Sequence, residues 1–283
     1  MSQKLWVSRQ KKSPVTGSER LRAAFRNEQV ALIPYLTGGY PTLEGAREVG
    51  ESYVEAGADV VEIGVPFSDP LADGPTIQDT ATRALQNGAD LDYCLELASG
   101  FSDRVPVVFL LYYNVIFARG VEEFLNEAAA VGVSGLVIPD LPVDEAGGIA
   151  GQAAEAGVAF CPLVAPTSTD ERLARVGELT SGFVYCVSVA GVTGVRDALP
   201  PGAVDLLRRA RARTAAPVAL GFGIGSPEAA IEAAAESDGI IIGSKLMRLV
   251  GEGGPERAGA WLSEVREALS SVVRAGRRYQ ELA

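Results

Sequence analysis

Val60-Val61-Glu62-Ile63-Gly64-Val65-Pro66 is an apolar run interrupted by one carboxylate and closed by a proline. It does not alternate polar with apolar, as a strand with one wet face would. Near-continuous apolar character belongs to a strand in a parallel sheet covered on both faces. The same kind of run recurs along the chain at 31–36, 59–65, 105–112, 135–138, 158–164, 182–187, 217–220 and 239–242. Each is followed by a Gly/Pro/Asp loop and an alanine-rich helical stretch, the helices lying near 43–56, up to 99, 121–131, 145–156, 170–176, 203–213, 227–236 and 255–274. Glycines in Glu55–Ala58, Ala130–Val133 and Glu155–Val158 sit where a helix should be capped before the next strand. Eight βα units over roughly 250 residues predict a (β/α)8 TIM barrel. It forms a single domain over 18–283, with an extra N-terminal helix and a polar extension over 1–17. A doubly wound sheet explains eight successive units less well, and no Pro/Gly/Ser-rich linker divides the chain.

Composition removes several chemistries. The 283 residues contain no histidine, and of four lysines only Lys245 lies beyond the first twelve positions. A Ser-His-Asp triad, a Cys-His pair and a histidine-ligated zinc are therefore excluded, and a Schiff-base enzyme would have to use Lys245. A formal charge of −11 argues against a nucleic-acid partner, which needs a basic footprint. Cys94, Cys161 and Cys186 are an odd set without close spacing, which reads as reduced thiols in a cytoplasmic protein. No apolar stretch is long enough for a membrane span, and the N-terminus lacks the pattern of a secretory signal.

In such a barrel, chemistry sits at the C-terminal ends of the strands. Glu62 lies in a strand covered on both faces, where its charge cannot easily reach water. It is either paired with an arginine across the barrel or a general acid/base with a raised pKa. The following loop, Phe67-Ser68-Asp69-Pro70-Leu71-Ala72-Asp73-Gly74-Pro75-Thr76, adds two aspartates. Asp-Pro and Asp-Gly are also plain turn formers, but a second carboxylate beside Glu62 would allow acid and base roles to be divided. Gly221-Phe222-Gly223-Ile224-Gly225-Ser226 and Gly243-Ser244 follow the seventh and eighth strands, where barrels often bind phosphate. The glycine string lacks the spacing and later acidic partner of a dinucleotide site, so NAD is rejected. Lys245 reads as a helix-start charge near that phosphate. The glycine-containing segment Ser188-Val189-Ala190-Gly191-Val192-Thr193-Gly194-Val195 suits a lid or an ordinary surface loop. Tyr35, Tyr112, Tyr113, Tyr185 and Phe222, near strand ends, are either core or the lining of a pocket for a flat apolar ligand.

Two strings carry a resemblance, and the second of them is highly specific. Pro34-Tyr35-Leu36-Thr37-Gly38-Gly39-Tyr40-Pro41 and Glu62-Ile63-Gly64-Val65-Pro66-Phe67-Ser68-Asp69-Pro70-Leu71-Ala72-Asp73-Gly74-Pro75 resemble the tryptophan synthase α subunit family. The resemblance continues through Leu110–Asn114, Pro139–Pro142, Gly191–Gly194, Gly221–Gly223 and Gly243-Ser244 in family order. It implies a lyase of tryptophan biosynthesis that cleaves indole-3-glycerol phosphate by retro-aldol chemistry to indole and glyceraldehyde 3-phosphate. It implies a β-subunit partner in an α2β2 heterotetramer, with no cofactor on this chain and pyridoxal phosphate only on the β subunit. By the same resemblance Glu62 takes the glycerol hydroxyl proton and protonates indole carbon 3. Asp73 hydrogen-bonds the indole N–H, and Tyr185 stands at the site. Tyr35, Leu110, Tyr112, Val137 and Phe222 hold the indole. Gly194, Gly223, Gly243 and Ser244 cradle the phosphate, and Thr193 closes a lid onto the aspartate. Pro66 and Asp69 face the β subunit, and no metal is implied. Val189 departs from the arginine frequent at that place in the family.

The composition is consistent with this chemistry. Aldol-type cleavage usually draws on a lysine imine or a metal as electron sink, and this chain offers few residues for either. The protonated indole of the substrate can serve instead, leaving the protein proton transfer and placement. Two other readings compete: a barrel that mainly activates a β partner, and a phosphate-sugar isomerase on the same fold.

Overall fold

The structure is a computed structural model that describes residues 15–26, 29–187, 201–221, 223–270 and 272. The expectations for Val189, Thr193, Gly194 and Phe222 fall outside the described residues. The described chain begins with α1 (Gly17–Ala24) and β1 (Ala31–Thr37). There follow α2 (Leu43–Glu55), β2 (Val61–Gly64), α3 (Pro75–Gln86), α4 (Leu91–Ser99) and β3 (Val107–Leu110). Next come α5 (Tyr113–Arg119), α6 (Val121–Ala130), β4 (Val133–Val137), α7 (Gly147–Glu155), β5 (Ala159–Phe160) and β6 (Leu163–Val164). The described chain then runs through α8 (Asp170–Leu179), β7 (Val184–Val187), α9 (Pro201–Arg211), β8 (Val218–Gly221), α10 (Pro227–Glu236), β9 (Gly239–Ile242) and α11 (Ser244–Ser270).

All strand pairs are parallel, in the order β5-β4-β3-β2-β1-β9-β8-β7-β6. The two ends of that order, β5 and β6, are consecutive in the chain, so the sheet closes on itself. The run expected as one fifth strand is divided at Pro162, which has no N–H to give to a ladder. The ladder bridges the division: Cys161 N–H donates to Leu136 O at 2.9 Å and Tyr185 N–H to Pro162 O at 3.0 Å. The expected eight-stranded barrel is therefore present, with its fifth strand in two pieces.

Two apolar layers hold the barrel. Outward residues such as Leu32, Ile63, Phe109, Leu136 and Ile240 pack under the helices. Inward residues Ala31, Ile33, Val108, Val137, Phe183, Tyr185, Ala219 and Ile241 form the interior, and Leu21 and Phe25 join them from the N-terminal segment. Helix α1 thus plugs the end of the barrel remote from the site. It is begun by a capping box in which Thr16 Oγ1 accepts from Glu19 N–H and Glu19 Oε2 accepts from Thr16 N–H at 2.8 Å. Glycine makes room for the plug. A methyl at Gly135 would stand 2.8 Å from Leu21 Cδ1, and one at Gly239 2.7 Å from Phe25 Cε1. Burying Leu21 and Phe25 this way contributes about 1.5–3 kcal/mol each.

The glycines read as helix ends behave as expected. Gly57, Gly132 and Gly157 all have positive φ, between 79° and 86°. Helix α5 was not expected. It is started by a tertiary contact, Tyr113 N–H donating to Asp140 Oδ1 at 2.8 Å. Helix α11 joins the expected short helix after Ser244 to the final helix, with a break at Gly253 and Gly254 before Pro255.

Candidate active site

Glu62 is 1% exposed and neither carboxylate oxygen has a hydrogen-bond partner among the described residues. Other buried or half-buried carboxylates are satisfied. Asp238 accepts from Val218 N–H at 2.8 Å and faces Arg211, while Asp59 accepts from Leu32 N–H at 2.8 Å and pairs with Arg266. The alternative of an arginine partner for Glu62 is thereby excluded among the described residues. Leaving a carboxyl dry and unpaired favours its neutral form. Burial, with a smaller contribution from the charge of Asp73, pushes Glu62 up to about 8.

Asp73 reaches the same space from the loop after β2. Burial pushes it up to about 6, and Tyr112 opposes that rise by donating its hydroxyl proton to Asp73 Oδ2 at 3.1 Å. Tyr112 Oη in turn accepts from Ala72 N–H at 3.0 Å, and its ring stacks on Phe67 with centroids 5.1 Å apart. The loop is fixed from below by Gln78, whose side-chain amide donates to Asp73 O at 2.9 Å and Pro70 O at 3.3 Å. The aspartate in Asp-Gly is therefore more than a turn former: two side chains hold its position. Replacing Tyr112 with Phe removes a donor to the charged form, so the pKa of Asp73 should rise. The acid limb of any rate that needs ionised Asp73 should move to higher pH, which a kcat/KM profile of the variant measures.

Four further aromatic and aliphatic groups close the space. Tyr35 stands opposite Glu62 in the β1–β2 register. Its hydroxyl lies over Gly64, where a methyl would meet Tyr35 Cζ at 2.5 Å. Tyr185 lies over Gly221, where a methyl would meet its Cζ at 2.9 Å. Burial and the neighbouring carboxylates hold both phenols well above their ordinary pKa, so they stay protonated. Leu110 and Val137 are register partners on β3 and β4 and belong to the barrel interior. Glu62, Asp73, Tyr35, Tyr112, Tyr185, Leu110 and Val137 thus converge at one end of the barrel.

The glycine loops border this group. Gly243 is next to Tyr35, with the Cβ position 3.6 Å from Tyr35 Cδ1, and Ser244 is the buried first residue of α11. Gly223 follows β8, and Ser226 caps α10 by accepting from Ala229 N–H at 3.2 Å. Helix starts of this kind present N–H groups to an anion.

Two expectations need correction and one open reading is decided. Lys245 does begin α11, but its ammonium lies over the Trp261 ring, 5.6 Å from the centroid, where cation–π attraction holds it. Tyr113, left open between core and pocket lining, is core: it packs in the outer layer and tilts against Phe117 at 6.4 Å, because the chain turns into α5 there and reverses the side chain's face. Pro66 is buried rather than outward-facing, whereas Asp69 is exposed, accepts from Ser68 Oγ at 2.5 Å and neighbours the 91% exposed Leu71. Sequence reasoning also missed Thr37 and Thr80, which stand behind Tyr35.

Comparison with known proteins gives one result. The family model described as "Tryptophan synthase alpha chain" matches residues 21–273. A tryptophan synthase alpha chain of Trichormus variabilis is 40% identical over 260 residues, covering 91% of this chain and 98% of that protein. One from a Cyanothece species is 44% identical over 248 residues, covering 87% and 93%. A chain of Mycobacterium tuberculosis tryptophan synthase superposes with a TM-score of 0.82 at 36% identity, covering 92% of this chain and 97% of that one. The alpha subunit from Legionella pneumophila gives 0.82 at 31% identity, covering 91% and 99%.

Proposed function

The chain belongs to the tryptophan synthase alpha chain family, and from that membership we propose how its own residues perform the family's reaction. That reaction is cleavage of indole-3-glycerol phosphate, and the protein is a lyase of tryptophan biosynthesis, the alpha subunit that works beside a beta subunit in an α2β2 assembly. The products are indole and glyceraldehyde 3-phosphate.

Glu62 is the acid and then the base. With its proton on, it protonates indole carbon 3. The ring becomes an indoleninium cation, with its N–H held by the Asp73 carboxylate. The resulting Glu62 carboxylate takes the proton of the glycerol hydroxyl next to the ring. The carbon–carbon bond then breaks, its electron pair flows into the cation to restore indole, and the aldehyde leaves. Glu62 ends protonated, as it began. The observation that carries this reading is the buried, unpartnered Glu62 beside a hydrogen-bonded Asp73. Their unlike environments keep one acid loaded and the other ionised at the same pH.

Tyr35, Leu110, Tyr112, Val137 and Phe222 hold the ring, with Tyr185 beside Glu62. Gly223, Gly243, Ser244 and Gly194 receive the phosphate by backbone dipoles rather than by an overall positive field, which a chain of net charge −11 does not provide. Thr193 closes over the site. The face offered to the beta subunit is the outer rim of the loop after β2, with Asp69 exposed on it and Pro66 shaping it from within. Pyridoxal phosphate belongs to the beta subunit and the assembly works in the cytoplasm. No helix of the described residues is long and apolar enough to cross a membrane.

The test is indole release from indole-3-glycerol phosphate across pH, with and without the beta subunit. kcat/KM should rise through about 6 as Asp73 ionises and fall through about 8 as Glu62 loses its proton. The two apparent values belong to the interacting pair. A profile that keeps rising past pH 9 would contradict Glu62 as the proton donor.

A further inference from the structure

Three hydroxyls stand in line between the cavity and α3. Tyr35 Oη is 3.2 Å from Thr37 Oγ1, Thr37 Oγ1 is 2.8 Å from Thr80 Oγ1, and Thr80 Oγ1 donates to the Ile77 carbonyl at 2.9 Å. All three side chains are buried. Each hydroxyl has one proton to give. The Ile77 carbonyl can only accept, so the Thr80 proton is committed to it. Thr80 must therefore accept from Thr37, and Thr37, its own proton spent, must accept from Tyr35. The direction of the whole chain follows from its last member.

We propose that Thr80 is a positioning residue for the cleavage reaction: it orients the line Tyr35→Thr37→Thr80→Ile77 so that Tyr35 turns its lone pairs, not its proton, toward the carboxylates and the substrate. The inference rests on the acid and hydrogen-bonding roles given to Glu62 and Asp73. Tyr35 faces Glu62 across the β1–β2 register, Asp73 from the loop after β2, and Tyr112 from the end of β3. Glu62 faces Tyr185 from β7 and Cys161 from the junction of β5 and β6 as well. A phenol free to turn would donate to one of the two carboxylates and favour its charged form. With its proton committed elsewhere, Tyr35 leaves Glu62 without a donor. It offers an acceptor to a hydroxyl of the bound substrate.

Thr80→Val keeps the shape and removes the acceptor. Thr37 is fully buried, so its released proton must find an oxygen nearby. Tyr35 Oη is that oxygen, and the phenol proton then turns to a carboxylate. One limb of the kcat/KM profile should move down by about one pH unit. Thr37→Val removes the acceptor of Tyr35 directly and should shift the same limb in the same direction, which covers a Thr80 variant that folds poorly. Thr80→Ser should restore the original profile. In a Tyr35→Phe background, Thr80→Val should move neither limb. The proposal is overturned if both Val variants keep the original limbs, or if the shift persists without the Tyr35 hydroxyl. Glu62→Gln measured alongside separates the two levels. An active Glu62→Gln chain overturns the acid assignment itself, whereas an inactive one with unmoved Val variants overturns only the relay.

Discussion

Glu62→Gln is expected to lower kcat for indole release on the order of 10²- to 10⁴-fold, the usual contribution of a positioned general acid/base. KM should change little, because Gln keeps the size and the neutral polar head of the protonated acid. The same substitution should stabilise the fold at alkaline pH. Glu62 is raised from its ordinary 4.5 to about 8 in the folded chain. The folded state therefore holds a proton that the unfolded state has released, and stability falls as pH rises from about 4.5 to about 8. Below that window wild type and variant should unfold alike. Above it, the wild type bears the cost of a dry carboxylate, about 5 kcal/mol, and Gln does not. Urea unfolding at pH 5 and pH 9 beside a turnover assay would show both effects. Wild-type turnover in the variant, or a variant less stable than wild type at pH 9, would contradict the assignment. Loss of catalysis with gain of stability separates a site carboxylate from a structural one such as Asp238, where removing the acceptor for Val218 N–H should cost stability at every pH.

How much of this was legible before the fold was known depends on the range over which each signal acts. Glu62 stood out because a carboxylate in an apolar strand violates the local pattern, and such violations mark sites. The strands and the helix-end glycines are local signals of the same kind and appear where the sequence placed them. Pro162 was visible, but its effect was not, since dividing a strand depends on which neighbour asks for the missing N–H. Tyr112 and Tyr113 are adjacent and chemically equal. Only the start of α5, set by Asp140 from a distant loop, puts one beside Asp73 and the other on the outside. Lys245 reaches Trp261 because α11 breaks at Gly253 and Gly254, and a break does not reveal which side chains it brings together. Thr80 gave no signal at all. Inside a helical run, a threonine bonded to its own i−3 carbonyl looks like any other, and its role lies in the direction of protons along a line that crosses two elements.

Gly64→Ala should damage the site more than its single methyl suggests. Gly64 has no positive φ, so the requirement is for space and not for backbone freedom. A Cβ there would overlap Tyr35 Oη and stand 2.5 Å from Cζ and 2.6 Å from Cε2. A tyrosine ring is stiff, and this one is tied to Thr37 at its tip. To make room the ring must swing toward Gly243, breaking the bond to Thr37 and entering the space proposed for the indole. Overpacking of this kind costs about 1–3 kcal/mol of stability. Misplacing a wall of the site should lower kcat/KM by about 10²-fold. The cause can be isolated by a double mutant. Tyr35→Leu ends short of the overlapping atoms, so Gly64→Ala should cost little stability in that background, a coupling of opposite sign to the single effects. Tyr35→Phe should relieve only part of the strain, because Cζ remains 2.5 Å from the new methyl. Melting curves of the three single and two double variants decide the point. If Gly64→Ala melts and turns over like the wild type, or if Tyr35→Leu recovers nothing, then Gly64 does not make the space in which Tyr35 faces Glu62.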